Sequence, residues 1–401
     1  MVQTILLSRT PSPPPPNYVG NGWRLRGLNG YHSETIEKYV HNFWCPIVVG
    51  DVLCGDNLLQ PGQEPCSFRI LGKLGFGAYS TVWLGWDTIF HRHLAIKVLS
   101  HQHSTPENTE MHILQKLGKL RVAFFHAQNK RLYLCLGLNP LGSTLRSREY
   151  SELDPPSDST TITTFMRTLF KKVEALHRNG ICHGDLSAAN VAFGVSQNAL
   201  TPSALQRTFS YGLKAYFVYI KPGEPPKRPQ YLPEYIVQTI NTALMSDMND
   251  MTKVEILDFG NAFEGCSREG AKGTRAFLAP EMRDKTRCYA SPKSDLWSLG
   301  CVIFYALTGA DLFPSDKDAE GYRATASEGQ LEKIDAALRR NYYLSSHPTY
   351  RRKVTLVIRS LLQIDPFKRS LEKTSRLIEN LENDFHTNGE EIIRSSQKNP
   401  M

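Results

Sequence analysis

The 401-residue chain has eight cysteines, and no two of them form a Cys-x-x-Cys pair. Cys45, Cys54, Cys66, Cys135, Cys182, Cys266, Cys288 and Cys301 are scattered, several inside apolar runs. That excludes a disulfide framework and reads as reduced, intracellular thiols. Metal-ligand spacing is equally scarce. His91/His93 and His101/His103 are close pairs without a second ligand pair nearby, so they read as solvated loop histidines. No apolar run reaches spanning length. The longest, WSLGCVIFYALTG at 297–309, follows Asp295 and reads as a buried helix, so no membrane partner is expected. The net charge of +8 comes without a dense Lys/Arg block, so direct nucleic-acid binding is not expected and acidic partners are favoured only weakly. No internal repeat is visible. No acid precedes Glu34, whereas Arg9, Arg24 and Arg26 do, a composition seen in transit peptides. The run Pro13–Pro16 opposes an amphipathic helix there. A disordered tail on a cytoplasmic or nuclear monomer is the expectation, with a mitochondrial address as the alternative.

What is present points to two lobes. The length exceeds what one compact domain usually holds, and 41% hydrophobic residues suffice for a core. Residues 1–40 are expected as a tail, the first thirty being rich in Pro, Gly and Asn. Residues 41–139 form a small β-rich lobe with its lead-in. SFRILGKLGFG, STVWLGWD and HLAIKVLS read as three strands, and RLYLCLGL as one long strand or two short ones. A helix is expected from Thr105, with Pro106 at its first position and Met111, Leu114 and Leu117 on its apolar face. Residues 140–385 read as a larger helical lobe, and 386–401 as a second tail. TITTFMRTLFKKVEALHRNG places Phe165, Leu169, Val173 and Leu176 on one stripe and stops at Gly180. Further helices are expected at 293–308 and 326–384. An insert at 196–250 has partial structure of its own: KAYFVYI as a strand, the Pro-rich KPGEPPKRPQYLP as a break, EYIVQTINTAL as a helix. The fold class is α+β.

The chemistry starts at LGKLGFGAYSTVWL. Gly75 and Gly77 allow a turn whose amides approach phosphate closely, and Val82 would press on a flat base. Alone, the G-x-G fits an ordinary hairpin equally well, and Ser80 stands where a third glycine is customary. Fifteen residues after Val82, LAIK puts Lys97 at a strand centre. An inward lysine needs an anion: phosphate oxygens, with Glu110 on the next helix as the steadying carboxylate. ICHGDLSAAN then supplies His183, Asp185 and Asn190, and EILDFGNA supplies Asp258. Asn190 and Asp258 are hard oxygen ligands for magnesium, leaving Asp185 to orient an acceptor hydroxyl and take its proton. AFLAPE gives Glu281, SDLWSLG gives Asp295 and Trp297, and DPFKRS gives Arg369, a buried partner for Glu281.

This ordered set, spanning about 67–385, resembles the eukaryotic protein kinases. The resemblance implies the two-lobe protein kinase fold, with a small β-rich N-lobe and a larger helical C-lobe. It also implies ATP and Mg²⁺ as cofactors and Ser/Thr or Tyr of a protein as acceptor. It assigns catalysis to Lys97, Glu110, Asp185 and Asn190. It assigns the nucleotide to Leu74, Gly75, Gly77, Val82, Ala95, Lys97 and Asp258. Asn139–Leu141 would be the hinge, with Leu138 guarding the back pocket, and Ala192 falls where a larger apolar residue usually floors the adenine. KLGFGAYSTVWLGWD resembles more narrowly the SR-protein kinases and their fungal relatives, as do the lead-in CPIVVGDVL and the large insert. That implies Arg/Ser-rich substrates. Asp316, Asp318 and Glu320 are candidate acids for docking them, and read equally well as a solvated loop.

Two positions of the loop depart from the pattern. Gly184 replaces an Arg that grips activation-loop phosphate in many kinases. Phosphorylation of Ser267 or Thr274 is therefore not expected to be the on-switch, and alanine at both should leave activity intact. Ser187 replaces the Lys that neutralises the transferring phosphoryl group, a contact commonly worth on the order of 10²–10³ in rate. The leading reading is an active Ser/Thr kinase. A pseudokinase scaffold that binds nucleotide is the alternative, and a small-molecule phosphotransferase, whose catalytic phrase is also HGD-L, comes third.

Overall fold

The computed structural model describes residues 24–25, 34, 37–40, 44–147, 156–210, 215–219, 231–233, 235–267, 273–283 and 289–381. Most of the expected tail 1–40, all of the tail 386–401 and most of the Pro-rich run lie outside the described residues. The chain divides into two compact units: Met1–Gly142 with Val195–Ser246, and Ser143–Gly194 with Asp247–Met401.

The first unit is built on an antiparallel sheet of six strands: β1 (Val52–Gly55), β2 (Cys66–Phe76), β3 (Ser80–Asp87), β4 (His93–Leu99), β5 (Val122–Gln128) and β6 (Arg131–Leu138). Their order is β1-β2-β3-β4-β6-β5. RLYLCLGL is thus one strand. The β3–β4 turn is held by Asp87, whose carboxylate accepts from the amides of Ile89 and Phe90 and pairs with Arg92. The β5–β6 turn has φ of 53° at Asn129 and 62° at Lys130, the double left-handed geometry that matches strand twist in a two-residue hairpin. β5 has no counterpart among the sequence expectations. Its VAFFHAQ lacks alternation because Val122, Ala123 and Phe124 are all buried, Phe124 stacking on Phe68 at 5.7 Å. The core behind the sheet joins Phe68, Ile70, Trp83, Ile96, Val98 and Phe124 to Cys45 and Ile47 of the lead-in.

Helix α1 (Thr109–Lys116) starts three residues later than the sequence suggests. Asn108, not Thr105, is the cap: its Oδ1 accepts from the Met111 amide at 2.9 Å. The insert also departs from expectation. Ala215–Tyr219 is a strand as expected, but EYIVQTINTAL is not a helix: Tyr235–Val237 pairs with Ala215–Phe217, and Thr242–Met245 is a 3₁₀ turn. Val237 is drawn into the first unit's core. Burial of β-branched side chains and pairing to a free strand outweigh helix propensity here. Nor does this segment belong with the helical lobe. Leu205 of the helix Pro202–Ser210 clusters with Leu71 and Leu84, and Phe209, Ile240 and Met245 pack around Leu74.

The second unit is helical. Its main helices are α2 (Ser159–Arg178), α4 (Pro292–Thr308), α5 (Asp316–Ala324), α6 (Ser327–Leu338) and α7 (Pro348–Leu361), with the short α3 (Pro280–Arg283) between α2 and α4. Asp158 caps α2, and Phe165, Leu169, Val173 and Leu176 are buried as expected, each contributing about 1.5–3 kcal/mol. α4 opens with a Ser291/Ser294 capping box and closes at Gly309 with φ 67°. It is apolar all round because it is buried all round, which accounts for the longest hydrophobic run. Two short ladders carry the loops between helices: β7 (Ile181–Cys182) pairs with β10 (Phe263–Glu264), and β8 (Val191–Ala192) pairs with β9 (Glu255–Ile256). No helix among the described residues is long and apolar enough to cross a membrane.

Candidate active site

In the first unit, cross-strand register gathers one set of expected residues. Val82 stands opposite both Gly75 and Lys97, and Ala95 opposite both Leu84 and Leu138. Lys97, Ala95 and Val82 therefore share one sheet face. Lys97 is 8% exposed and donates to Glu110 Oε1 at 2.6 Å. The Asn108 cap sets Glu110 in the first turn of α1 and so fixes its aim. A buried cation and anion are costly apart and hold each other in place together. The glycine hairpin closes with the Gly77 amide donating to Ser80 O at 2.9 Å. A β-carbon at Gly75 would meet nothing within 4 Å, and its φ is not left-handed. Packing among the described residues does not demand glycine there, whereas close approach by a phosphate would. Asn139 accepts from Arg121 at 3.0 Å, and Leu141 is half-buried. Leu74 packs on the insert's Phe209 and Ile240, which the sequence did not foresee.

In the second unit, the loop from His183 to Asn190 is hung on Asp295. This carboxylate is 2% exposed and accepts from the amides of His183 at 2.7 Å and Gly184 at 3.1 Å, and from His177 Nε2 at 3.0 Å. Burial pushes the Asp295 carboxyl up, but the His177 hydrogen bond and charge, the His183 charge and the His183 amide outweigh it and hold it below the usual range. Gly184 sits at φ +75°, and a β-carbon there would lie 2.5 Å from Asn261 O. The missing arginine therefore has a backbone cause. Asp185 Oδ1 accepts from the Thr274 amide at 2.8 Å and from Thr274 Oγ1 at 3.0 Å, while Asn261 Nδ2 lies 3.4 Å from Oδ2. Asn190 Nδ2 donates to Asp185 O at 2.8 Å. His183 pairs with Leu257 O at 3.1 Å, and its ring lies 5.1 Å from that of Phe259.

The β8–β9 ladder brings the two expected magnesium ligands near one another: the Leu257 amide donates to Asn190 O at 3.1 Å, and Asp258 follows at once. Asp258 has φ 61°, sparsely populated for a side-chain-bearing residue and typical of functional positions. Because Asn190's amide nitrogen is committed to Asp185, its oxygen is the end left for a cation. One carboxylate and one amide oxygen suit magnesium, which keeps waters and substrate phosphates as its other ligands. The donor set fits. Ala192 is fully buried, opposite Glu255. Ser187 is 1% exposed, and its Oγ has no hydrogen-bond partner among the described residues.

Arg369 meets Glu281 as expected, through two hydrogen bonds of 2.5 and 2.9 Å, and stacks 5.2 Å from the Trp297 ring centre. Two expectations change. Thr274 is no dispensable loop hydroxyl, since it touches Asp185 directly. Asp316 is occupied by Arg275 and Arg283, and Asp318 by the Ser315 cap, so neither stands as a free docking acid. Sequence reasoning also missed Asp295 as the anchor of the loop. Its signal was a lone carboxylate in the first turn of the most apolar of the described helices.

The protein kinase domain family matches residues 68–201 and 241–376. The chain belongs to that family. The kinase domain is 23% identical over 339 residues to the serine/threonine-protein kinase ppk31 of Schizosaccharomyces pombe, covering 70% of this chain and 32% of that one. It is 28% identical over 187 residues to protein kinase dsk1 of the same yeast, covering 42% and 32%. It is 23% identical over 272 residues to human 3-phosphoinositide-dependent protein kinase 1, covering 63% and 38%. The chain thus spans about a third of the length of these relatives. A crystallised kinase domain superposes with a TM-score of 0.50 at 18% identity, covering 84% of this chain and 97% of that one, which supports the fold. The break in the family match, 202–240, falls within the insert.

Proposed function

We propose that this chain is a working serine/threonine kinase that transfers the γ-phosphate of Mg-ATP to a hydroxyl of a protein substrate. The observation that carries this reading is the buried Lys97–Glu110 pair at 2.6 Å, which transfer in this family requires to be in place. Lys97 steadies the phosphates, and Asn190 and Asp258 hold the magnesium, which when bound neutralises charge on them. Asp185 orients the acceptor hydroxyl and takes its proton at Oδ2, since Thr274 occupies Oδ1. The name of the serine/threonine-protein kinase ppk31 supports Ser/Thr as acceptor. Arg/Ser-rich proteins are the substrate class, on the strength of the glycine-loop likeness to SR-protein kinases, and the work is done by a monomer in the cytoplasm or nucleus.

A pseudokinase scaffold is the second reading, favoured by Ser187, which offers no charge to the transferring group. Against a small-molecule phosphotransferase stands the Glu281–Arg369 pair, which in protein kinases supports the substrate platform. The test is radiolabelled transfer from Mg-ATP to an Arg-Ser repeat peptide and to a generic acidic protein, with Asp258→Ala as the blank. Transfer to the repeat peptide is expected. Transfer to the acidic protein alone would discard the substrate class. ATP binding without transfer to either would favour the scaffold.

A further inference from the structure

Lys73 is the most unusual charge of the first unit. It lies two residues before Gly75 in β2 and is fully buried. Its ammonium donates to Glu34 Oε1, which also accepts from Tyr39 OH at 2.5 Å, and it sits 4.8 Å over the Trp83 ring. Glu34 precedes the family's matched region by more than thirty residues, and its Oε2 is buried without a partner among the described residues. A buried ion pair is retained more readily for specifying a conformation than for net stability, which an apolar pair of equal size would supply.

Lys38 and Trp44 also meet the glycine hairpin. Lys38 Nζ donates to Ala78 O, at the hairpin tip, at 3.2 Å. Trp44 lies edge-on to Tyr39 at 5.9 Å and 6.5 Å from Phe76. From the insert, the Ile240 amide donates to Lys73 O at 2.8 Å, and Phe209 and Ile240 press on Gly72. Two segments of the first unit thus converge on the strand that leads into the hairpin. One, which contributes Glu34, Lys38 and Trp44, lies ahead of the matched region, and the other falls largely within its break.

We propose that Glu34 is a positioning residue for the nucleotide-binding hairpin. Through Lys73, and with Lys38 and Trp44 beside it, Glu34 holds Gly75–Gly77 in the conformation that receives phosphate. The proposal rests on the kinase reading for the identity of the ligand, ATP, and on geometry alone for the effect on the hairpin. When a ligand binds only one conformation, its apparent affinity falls by the fraction of time that conformation is lost. Releasing the segment should therefore act on nucleotide affinity more than on turnover at saturation.

The experiment uses the full chain, with Glu34→Gln, which keeps shape and removes charge, and Lys38→Met, which leaves the buried pair intact. Hydrogen exchange of amides 75–80 is read beside Mg-ATP binding and the melting temperature. Expected are exchange at the hairpin about tenfold faster in Glu34→Gln and an ATP Kd about three- to tenfold higher in both variants. The expected melting temperature of Lys38→Met is that of the unmodified chain. Hairpin exchange unchanged in both variants overturns the proposal, as does exchange raised across the whole six-stranded sheet, which would make Glu34 merely structural. If Glu34→Gln does not fold, Lys38→Met decides alone. If the unmodified chain binds no ATP, the kinase reading fails, and the exchange comparison still decides whether the segment positions the hairpin.

Discussion

Replacing Gly184 with arginine, the residue many kinases carry there, should cripple this chain. At φ +75° any side chain meets the left-handed penalty, about 1–2 kcal/mol. The added Cβ would also lie 2.5 Å from Asn261 O, a backbone atom that can yield only by moving its peptide. Forced shifts of that kind cost about 1–3 kcal/mol. A total near 3 kcal/mol corresponds to about 6–12 °C in melting temperature for a unit of 150–250 residues. The displaced peptide is that of Asn261, whose side chain lies near Asp185, and Gly184 is the residue before Asp185. A shift of about 1 Å in a positioned base costs about a hundredfold in rate.

The assay compares Gly184→Ala and Gly184→Arg by thermal melting and by phosphate transfer. The clash begins at Cβ, so alanine should cause most of the loss and arginine little more. If alanine melts within 2 °C of the unmodified chain, on the order of 0.5–1 kcal/mol, the backbone argument fails. If arginine raises transfer, the vacancy was electrostatic after all.

Thr274→Val keeps the amide bond to Asp185 but loses the hydroxyl bond, and kcat should fall about tenfold, in line with a charge-assisted hydrogen bond of about 1.5 kcal/mol or more; Thr274→Ser should restore most of it. Arg369→Lys retains charge but not the two-pronged bond to Glu281 or the stack on Trp297, so melting should show most of the roughly 3–5 kcal/mol that follows breaking a buried pair. The depressed Asp295 carboxyl contributes stability that is fully present above the ordinary aspartate pKa of about 3.9 and is lost as pH falls through its lower folded value. Acid unfolding curves should therefore be flatter below that pH in Asp295→Asn than in the unmodified chain, and parallel curves would refute the assignment.

The family and the two-lobe plan were readable because each motif couples a residue type to a local element. Lys97 needs a strand and Glu110 a first helical turn, and both sequence and structure supply them. Other features were hidden for identifiable reasons. β5 is covered on both faces and so carries no period-two signal. The helix start slid from Thr105 to Asn108 because two capping residues lay within one turn of each other, and only packing chooses between them. The insert misled because Ile236, Val237 and Ile240 fit a helical stripe and a strand almost equally. Long-range partners such as Glu34 with Lys73, or Thr274 with Asp185, leave no local mark at all.

The two departures in the catalytic loop differ in kind. Gly184 is dictated by backbone: its φ and the Asn261 carbonyl leave no room for a side chain. In kinases with arginine at this point, a phosphate on the activation loop is gripped from outside. Here the catalytic loop is held by Asp295 on the amides of His183 and Gly184, and Thr274 bonds Asp185 Oδ1. None of those bonds uses a side chain at position 184, so an arginine there is not needed to make them. Ser187 has no such cause. Its hydroxyl is buried and bonds to none of the described residues, and it supplies no charge. Whatever turnover this kinase lacks should therefore trace to position 187 and not to 184.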